Sequence, residues 1–244
     1  MGVSVSHEHP APGPQVIELI GPAGAGKTSL LRAVAGLAPG VRTGLRLDRV
    51  RALPIVAWHA IALTPASLDM LFADPRWLWA GLRHLWRLRA FPSLVERARG
   101  SGHQTILLDE GPVFSLGRLS VFQRAHEGSG WLARAWNAEV ARWRESLTGV
   151  VLLDADNDVL AHRIRNRTKP HPVKNGSDRQ IFAFLDGYRA AYRDIATRLH
   201  ANGRVHVVEL ETTTRPFEEI AADIVTAMNA WGHRPESVPA QRRA

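Results

Sequence analysis

The chain has 244 residues, a formal net charge of +8 and no cysteine. This length is enough for one α/β domain with a large core. The lack of cysteine excludes a disulfide framework, a thiolate metal site and a cysteine nucleophile. Nearly all of the positive charge is arginine, which fits either a nucleic-acid partner or a site that handles phosphate. The motifs found along the chain favour the phosphate site.

The predicted elements alternate between short apolar strands and helices, a pattern typical of a parallel sheet covered on both faces. The predicted strands are 15–20, 104–109, 149–153 and 204–210. The predicted helices are 27–38, 116–125, 131–146, 157–167, 179–199 and 216–231. Residues 66–100 are predicted to form helices broken at Pro75 and Pro92. Residues 53–58 fit either a further strand or a packed loop.

One domain is predicted over residues 15–232, between loose tails at 1–14 and 233–244 that are rich in Pro, His and Arg. The first tail lacks the basic start and apolar run of a secretory signal, and no run of about 18 apolar residues follows. We therefore expect a cytoplasmic protein without stable membrane insertion. The Trp-rich and Arg-rich segment 77–89 fits a helix with its apolar side in the core better than a membrane-surface helix.

Residues 21–28 fit the phosphate-binding pattern G-x-x-x-x-G-K-[ST] at every specified position. A predicted strand precedes this P-loop and a helix follows it, so backbone N–H groups and the helix dipole can hold an anion. Lys27 is expected to reach the β- and γ-phosphates of ATP, and Thr28 to offer its hydroxyl to Mg²⁺. The predicted nucleotide-binding residues are Gly21, Pro22, Ala23, Gly24, Ala25, Gly26, Lys27, Thr28 and Ser29.

A pair of acids, Asp109 and Glu110, follows the apolar strand at the middle of the chain. In P-loop proteins this strand lies beside the first one, so Asp109 is predicted to bind Mg²⁺ together with Thr28. Glu110 fits a general base toward an acceptor hydroxyl, a group that orients water, or a partner of an arginine, and these roles stay open. Asp154 ends the next predicted strand and fits a cap of the following helix.

A predicted lid spans about 163–177. Arg163 and Arg167 are four residues apart, so they are expected to share a helix face beside a loop rich in Pro, Lys and His. Such a segment can close over a triphosphate and neutralise charge as the phosphoryl group moves. A solvated basic helix face is the alternative. The predicted catalytic residues are Lys27, Asp109, Glu110, Arg163 and Arg167.

These segments resemble the nucleoside and nucleotide kinases of the P-loop class, most closely the thymidylate kinase-like branch. The resemblance rests on GPAGAGKT at 21–28, ILLDEGP at 106–112, VVLLDADNDVLAHRIRNR at 150–167 and the segment 205–220. It implies a P-loop NTPase fold, α/β in class, with three layers, a mostly five-stranded parallel sheet and a helical lid that contains both arginines. It also implies transfer of the γ-phosphoryl group of ATP to a small acceptor, with Mg²⁺ as cofactor and adenine bordered by residues 212–216.

Two positions depart from the thymidylate kinases. Those enzymes have Asp-Arg where this chain has Asp109-Glu110, and they have an acid within the P-loop where this chain has Ala23. An acid in place of the arginine would repel a monophosphate, so an uncharged nucleoside, a sugar or another hydroxyl compound is expected as acceptor. Segments 41–100 and 116–146 are expected to form its pocket, with Trp58, Phe114, Arg118 and Arg124 as candidate contacts.

The sequence thus predicts an ATP-dependent kinase with a nucleoside, nucleotide or other hydroxyl compound as its small-molecule acceptor. The alternative is a P-loop ATPase or switch protein that drives a partner, in which the glutamate after Asp109 activates water. The chain lacks the L-S-G-G-Q and N-K-x-D motifs of transporter ATPases and GTPases, and an ATPase does not need the arginine lid. No motif that reads nucleic acid is recognisable, and a homodimer stays possible.

Overall fold

A computed structural model describes residues 14–43, 75–99, 104–125 and 130–232. Within them lies one five-stranded sheet, and each strand runs parallel to its neighbours. The strands are β1 (Gln15–Ile20), β2 (Val41–Thr43), β3 (Thr105–Leu108), β4 (Gly149–Asp154) and β5 (His206–Glu211). Their order is β2-β3-β1-β4-β5, which confirms the predicted α/β fold and the predicted contact between the first and central strands.

Helices cover both faces of this sheet. They are α1 (Lys27–Leu37), α2 (Pro75–Arg99), α3 (Pro112–Ala125), α4 (Gly130–Ser146), α5 (Asn157–Asn166), α6 (Asp178–His200) and α7 (Phe217–Gly232). Side chains of β1 alternate between two apolar clusters, because successive residues of a strand point to opposite faces. Val16 and Ile20 pack in the cluster that includes α2, α3 and α4, whereas Ile17 and Leu19 pack in the one that includes α1, α5 and α7.

The predicted interruption at Pro92 is wrong, since α2 continues through this proline to Arg99. A proline inside a helix removes a backbone hydrogen bond and clashes with the preceding turn. Here Phe91, Val95 and Ala98 are all buried in the core, and packing of this kind supplies most of the stability of protein helices. Tertiary contacts therefore outweigh the local cost. Pro75 begins the helix, at the position where proline is best tolerated.

Several predictions fall outside the described residues. These are the tail at 233–244, the tail at 1–14 except Pro14, the possible strand at 53–58, and Trp58 within it. The edge strand β2 was not predicted, because three residues are too few to show an alternating pattern. Among the helices that can be described, none is long and apolar enough to cross a membrane.

Candidate active site

The loops that follow β1 and β3 meet at the carboxyl edge of the sheet, beside α2, α3 and α6. They border a cavity of about 580 Å³, which is within the usual range for a small-molecule site. Ligands of open α/β sheets bind in this position, outside the carboxyl ends of the strands. The predicted P-loop forms one wall of the cavity, and every predicted nucleotide-binding residue except the buried Ala25 lines it.

Glycines shape the P-loop at two positions where no other residue fits. Gly21 has a φ of 146°, and a Cβ atom there would lie 2.1 Å from the carbonyl oxygen of Leu153. Gly26 has a φ of 85° and is the N-cap of α1, and a Cβ atom there would lie 2.8 Å from the ring of Phe217. The loop can therefore curl tightly between β4 and α7, and the N-terminus of α1 adjoins the cavity.

Lys27 lies at the start of α1 with its side chain turned back into the P-loop. Its Nζ atom donates hydrogen bonds to the carbonyl oxygens of Gly21, at 2.7 Å, and Pro22, at 2.9 Å. Burial lowers the pKa of Lys27 to about 8; the nearby Asp109 and Glu110 oppose this effect. The ammonium group is therefore mostly charged at neutral pH, close to both acids.

Thr28 and Asp109 come together across 81 residues of sequence. The Thr28 hydroxyl donates to the Asp109 carboxylate, Oγ1 to Oδ2, at 3.2 Å. Carboxylate and hydroxyl oxygens are hard ligands, and Mg²⁺ in nucleotide sites is held by one or two protein oxygens together with phosphate oxygens and water. The pair therefore has the donor chemistry for Mg²⁺ beside a triphosphate.

Arg163 stabilises the P-loop through hydrogen bonds. Its guanidinium donates to the carbonyl oxygen of Gly24 at 3.3 Å, to Thr212 Oγ1 at 3.2 Å and to the Thr212 carbonyl oxygen at 2.8 Å. It also lies over the ring of Phe217, 6.0 Å from the centroid. Thr212 is buried and also donates to the carbonyl oxygen of Asp154. Arg163 therefore connects the P-loop to the segment after β5.

Arg167 lies outside α5, which ends at Asn166, and its backbone is extended with φ −71° and ψ 143°. The expectation that Arg163 and Arg167 share a helix face is therefore wrong, although both line the cavity. Lys174 Nζ donates to the Arg167 carbonyl oxygen, one of the groups that a helix end leaves without a partner. Within the described ranges, the Arg167 guanidinium makes no hydrogen bond or ion pair.

Glu110 lines the cavity with 59% of its side chain exposed. Arg87 of α2 approaches its carboxylate, Nη1 to Oε2, at 3.4 Å, and also donates to its carbonyl oxygen. An arginine partner is thus present, as one of the three predicted roles requires. The carboxylate still faces the cavity beside Lys27, so the general-base and water-orienting roles stay open.

A second wall of the cavity is made by three helices and is rich in arginine and aromatic rings. Arg118 of α3 donates to the hydroxyl of Tyr188 on α6, Nη1 to Oη, at 2.6 Å, and lies over its ring. The lining residues of this wall are Arg83, His84, Arg87, Phe114, Arg118, Phe184, Tyr188 and Tyr192. Of these, Phe114 and Arg118 were predicted. The others share helical spacings of three, four or eight residues, which is the signal that could have revealed them.

The two other candidate acceptor contacts stay predictions, because their side chains are outside what the structure describes. Trp58 is outside the described residues, and Arg124 lies in the last turn of α3. The predicted capping role of Asp154 is wrong. Its carboxylate pairs with Arg189 of α6, Oδ2 to Nε, at 2.6 Å, and the N-cap of α5 is Asp156.

Glu18 stabilises the loop at the site, and it was not predicted from the sequence. It is fully buried in β1, and its carboxylate accepts hydrogen bonds of 2.8–2.9 Å from the backbone N–H groups of Gly111, Val113 and Phe114. Burial raises the pKa of Glu18 to about 7; the three N–H groups and Arg87 oppose this effect. The feature of the sequence that could have revealed Glu18 is a charged residue inside an otherwise apolar strand. Its bonds fix the turn that follows Asp109 and Glu110.

Solved structures with a similar fold include a deoxyadenosine kinase from M. mycoides. With the products dCMP and a flexible dCDP bound, it is 13% identical to this chain, with a TM-score of 0.53, and the match covers 88% of this chain and 100% of that one. With dATP bound, the identity is 12%, the TM-score 0.51 and the coverage 87% and 100%. No protein-family model and no curated protein matches the sequence. The chain has the three-layer α/β fold of P-loop nucleoside kinases.

Proposed function

We propose that this protein is an ATP-dependent kinase that phosphorylates a hydroxyl group of a small, nucleoside-type acceptor. One observation carries the proposal: the P-loop, with Lys27 and Thr28, lines the same cavity as a wall of arginines and aromatic rings, and Asp109 is hydrogen-bonded to Thr28. An ATPase that drives a partner protein needs the P-loop and its neighbouring residues but not the wall of arginines and aromatic rings. We expect a cavity with both parts to bind a phosphoryl donor at the P-loop and an acceptor at the helical wall.

In this proposal the P-loop N–H groups and Lys27 bind the β- and γ-phosphates of ATP. Mg²⁺, held by Thr28 and Asp109, would neutralise phosphate charge when bound. Arg167 is free to neutralise the charge that develops during transfer, because its guanidinium is not committed to a partner among the residues described. Glu110 receives the proton of the acceptor hydroxyl, since it faces the cavity beside Lys27.

The nucleoside-type acceptor is supported by the aromatic rings of the wall and by the fold shared with a deoxyadenosine kinase. The sequence predicts that the negative charge of Glu110 repels a monophosphate. This repulsion is reduced, because Arg87 pairs with Glu110. Arg83 and Arg118 add positive charge on the same side of the cavity. The test therefore includes nucleosides and their monophosphates, with sugars as a third group. The thymidylate kinase-like branch predicts transfer of the label to thymidine monophosphate, which gives labelled thymidine diphosphate.

The test is transfer of label from γ-labelled ATP to each compound of this panel. The variant Lys27→Ala should lose about 10²–10³-fold in turnover, because it removes a charged donor from the transferring phosphates. Lys169→Ala is the matched control, since Lys169 is exposed and does not line the cavity. Circular dichroism and thermal unfolding should show that both variants are folded.

Near-normal turnover in Lys27→Ala would exclude the proposed site. Hydrolysis of ATP by the wild type without label in any acceptor would instead favour the ATPase, in which Glu110 orients water.

A further inference from the structure

His84 is a buried histidine in the helical wall of the cavity. It lies on α2 with 2% of its surface exposed, and it is among the lining residues. Its ring meets that of Phe114 edge-on, with the centroids 5.7 Å apart. Neither ring nitrogen has a hydrogen-bond partner in the part of the chain that the structure describes. The ring contact fixes the orientation of the imidazole but leaves both nitrogens unsatisfied.

Unsatisfied nitrogens of this kind are rare in folded proteins. The large majority of buried side-chain polar atoms have a partner, and a buried polar atom without one lowers the stability of the fold. The neighbours Leu85 and Leu88 on α2 belong to the apolar core, so an apolar residue at position 84 would suit the local packing. A histidine in the cavity wall is therefore best explained by a ligand that completes its hydrogen bonds.

The charge state of His84 limits what that ligand can be. Burial and the nearby charges of Arg118, Arg83 and Arg87 lower the pKa of His84 to about 3, so the imidazole is neutral at physiological pH. A neutral imidazole has one N–H donor and one nitrogen acceptor. It therefore suits an uncharged polar group, whereas the arginines around it suit an anion.

We propose that His84 determines acceptor specificity by forming a hydrogen bond with the uncharged polar edge of the acceptor's heterocyclic ring. In this proposal the heterocyclic ring of the acceptor binds in the cavity between Phe114 of α3 and the side chains of Phe184 and Tyr188 on α6. These aromatic side chains supply flat apolar contacts, and His84 reads the edge. This inference rests on the proposed kinase function and names the residue that selects the acceptor.

The experiment compares the wild type with His84→Phe, an apolar ring that can keep the edge-on contact with Phe114. The probes are the deoxynucleoside that the wild type phosphorylates fastest and its analogue methylated on the base edge. In the wild type, kcat/KM should fall about tenfold or more on methylation, the effect of one lost hydrogen bond to an uncharged group. In His84→Phe the two compounds should react alike, and the KM for ATP should be unchanged.

Two further measurements separate recognition from a structural role. Without ligand, His84→Phe should melt at or above the temperature of the wild type, because an unsatisfied group has been removed. His84→Asn, which keeps a donor and an acceptor, should recover part of the discrimination. If His84→Phe does not fold, ¹⁵N spectra of the wild type decide: its His84 ring nitrogens should shift when the deoxynucleoside is added.

Equal discrimination in the wild type and His84→Phe would overturn the role of His84 and leave the kinase proposal intact. Unshifted ring nitrogens at saturating deoxynucleoside would do the same. A wild type that labels sugars but no nucleoside would also overturn it. A wild type that hydrolyses ATP and labels no acceptor would overturn the kinase proposal itself.

Discussion

Arg163 and Arg167 differ in what already holds them, and this difference separates their roles. The guanidinium of Arg163 is bound to Gly24 and Thr212, so its charge serves to fix the P-loop. The guanidinium of Arg167 lines the cavity without such partners in the described ranges. Its positive charge contributes to the lowered pKa of Lys27. A group that follows a moving phosphoryl must be free to rearrange, so Arg167 is the better candidate for that role.

Arg167→Ala should therefore lower kcat about 10²-fold and leave the affinity for ATP nearly unchanged. Arg163→Ala should weaken ATP binding and lower the melting temperature, because the P-loop loses its support. Arg165→Ala is the control, since Arg165 is exposed and pairs with Asp178 on the surface. Single-turnover kinetics and titration of ATP measure the two quantities. A loss confined to affinity in Arg167→Ala would contradict the assignment.

The sequence alone places Lys27, Thr28 and Asp109 at one site, because their motifs have fixed positions around a strand and a helix. It does not separate the two arginines. Both carry the same charge in the same segment, and the partners of Arg163 are 139 and 49 residues away. Contacts of this length depend on the packing of the whole domain.

At the scale of elements, α3 begins at Pro112, four residues before the predicted start, because of a carboxylate on another element. Glu18 of β1 accepts bonds from N–H groups in the first turn of α3, which would otherwise have no partner. Gly111 is needed here, since a Cβ atom would lie 2.7 Å from the Glu18 carboxylate. Local sequence rules find helix starts from nearby caps, so a cap 95 residues away is invisible to them.

Glu18 should make the stability of the fold depend on pH. Its pKa is raised from 4.5 to about 7 in the folded protein, mainly by burial, so the folded state holds the proton more tightly than the unfolded chain. The stability that this effect contributes is complete below pH 4.5 and is lost as the pH rises through 7. The rise corresponds to about 3 kcal/mol.

Glu18→Gln removes this titration. The difference in free energy of unfolding between the wild type and the variant should therefore change by on the order of 3 kcal/mol between pH 4.5 and pH 8. Urea unfolding at several pH values measures it. Glu218→Gln, at an exposed position of α7, is the control and should show a constant difference from the wild type. A constant difference for Glu18→Gln as well would show that this carboxyl does not titrate in that range.

At the scale of the whole molecule, the net charge of +8 is unevenly distributed. Among the described residues, six lysine and arginine side chains line the cavity against one acid, Glu110. Positive potential focused in a cleft accelerates the association of anions and is screened by salt. Part of the excess positive charge therefore lies at the cavity. The sequence predicted a cluster of basic residues at the site only in the lid segment. The basic residues of α2 and α3 reach the site through the packing of three helices.

The association rate constant of a fluorescent ATP analogue should fall tenfold or more between about 10 and 200 mM salt. Arg83→Gln, at the exposed side of the cavity, should lower this rate at low salt. Arg204→Gln makes the same change of net charge near the amino end of β5, at the opposite edge of the sheet, and should have a smaller effect. Stopped-flow fluorescence measures both. Equal effects of the two variants would assign the attraction to net charge alone.

The central position of β1 has a consequence for biosynthesis. Strand β1 precedes in sequence the two strands that it pairs with, which begin at Thr105 and Gly149, and Thr212 donates a hydrogen bond to the Ala25 carbonyl oxygen in the loop after β1. A nascent chain that stops before Gly149 contains the complete P-loop motif but lacks one of the two strands that flank β1. Contacts so distant in sequence slow folding and leave apolar strands exposed meanwhile. Nucleotide binding should therefore arise late in translation, when nearly the whole domain has emerged.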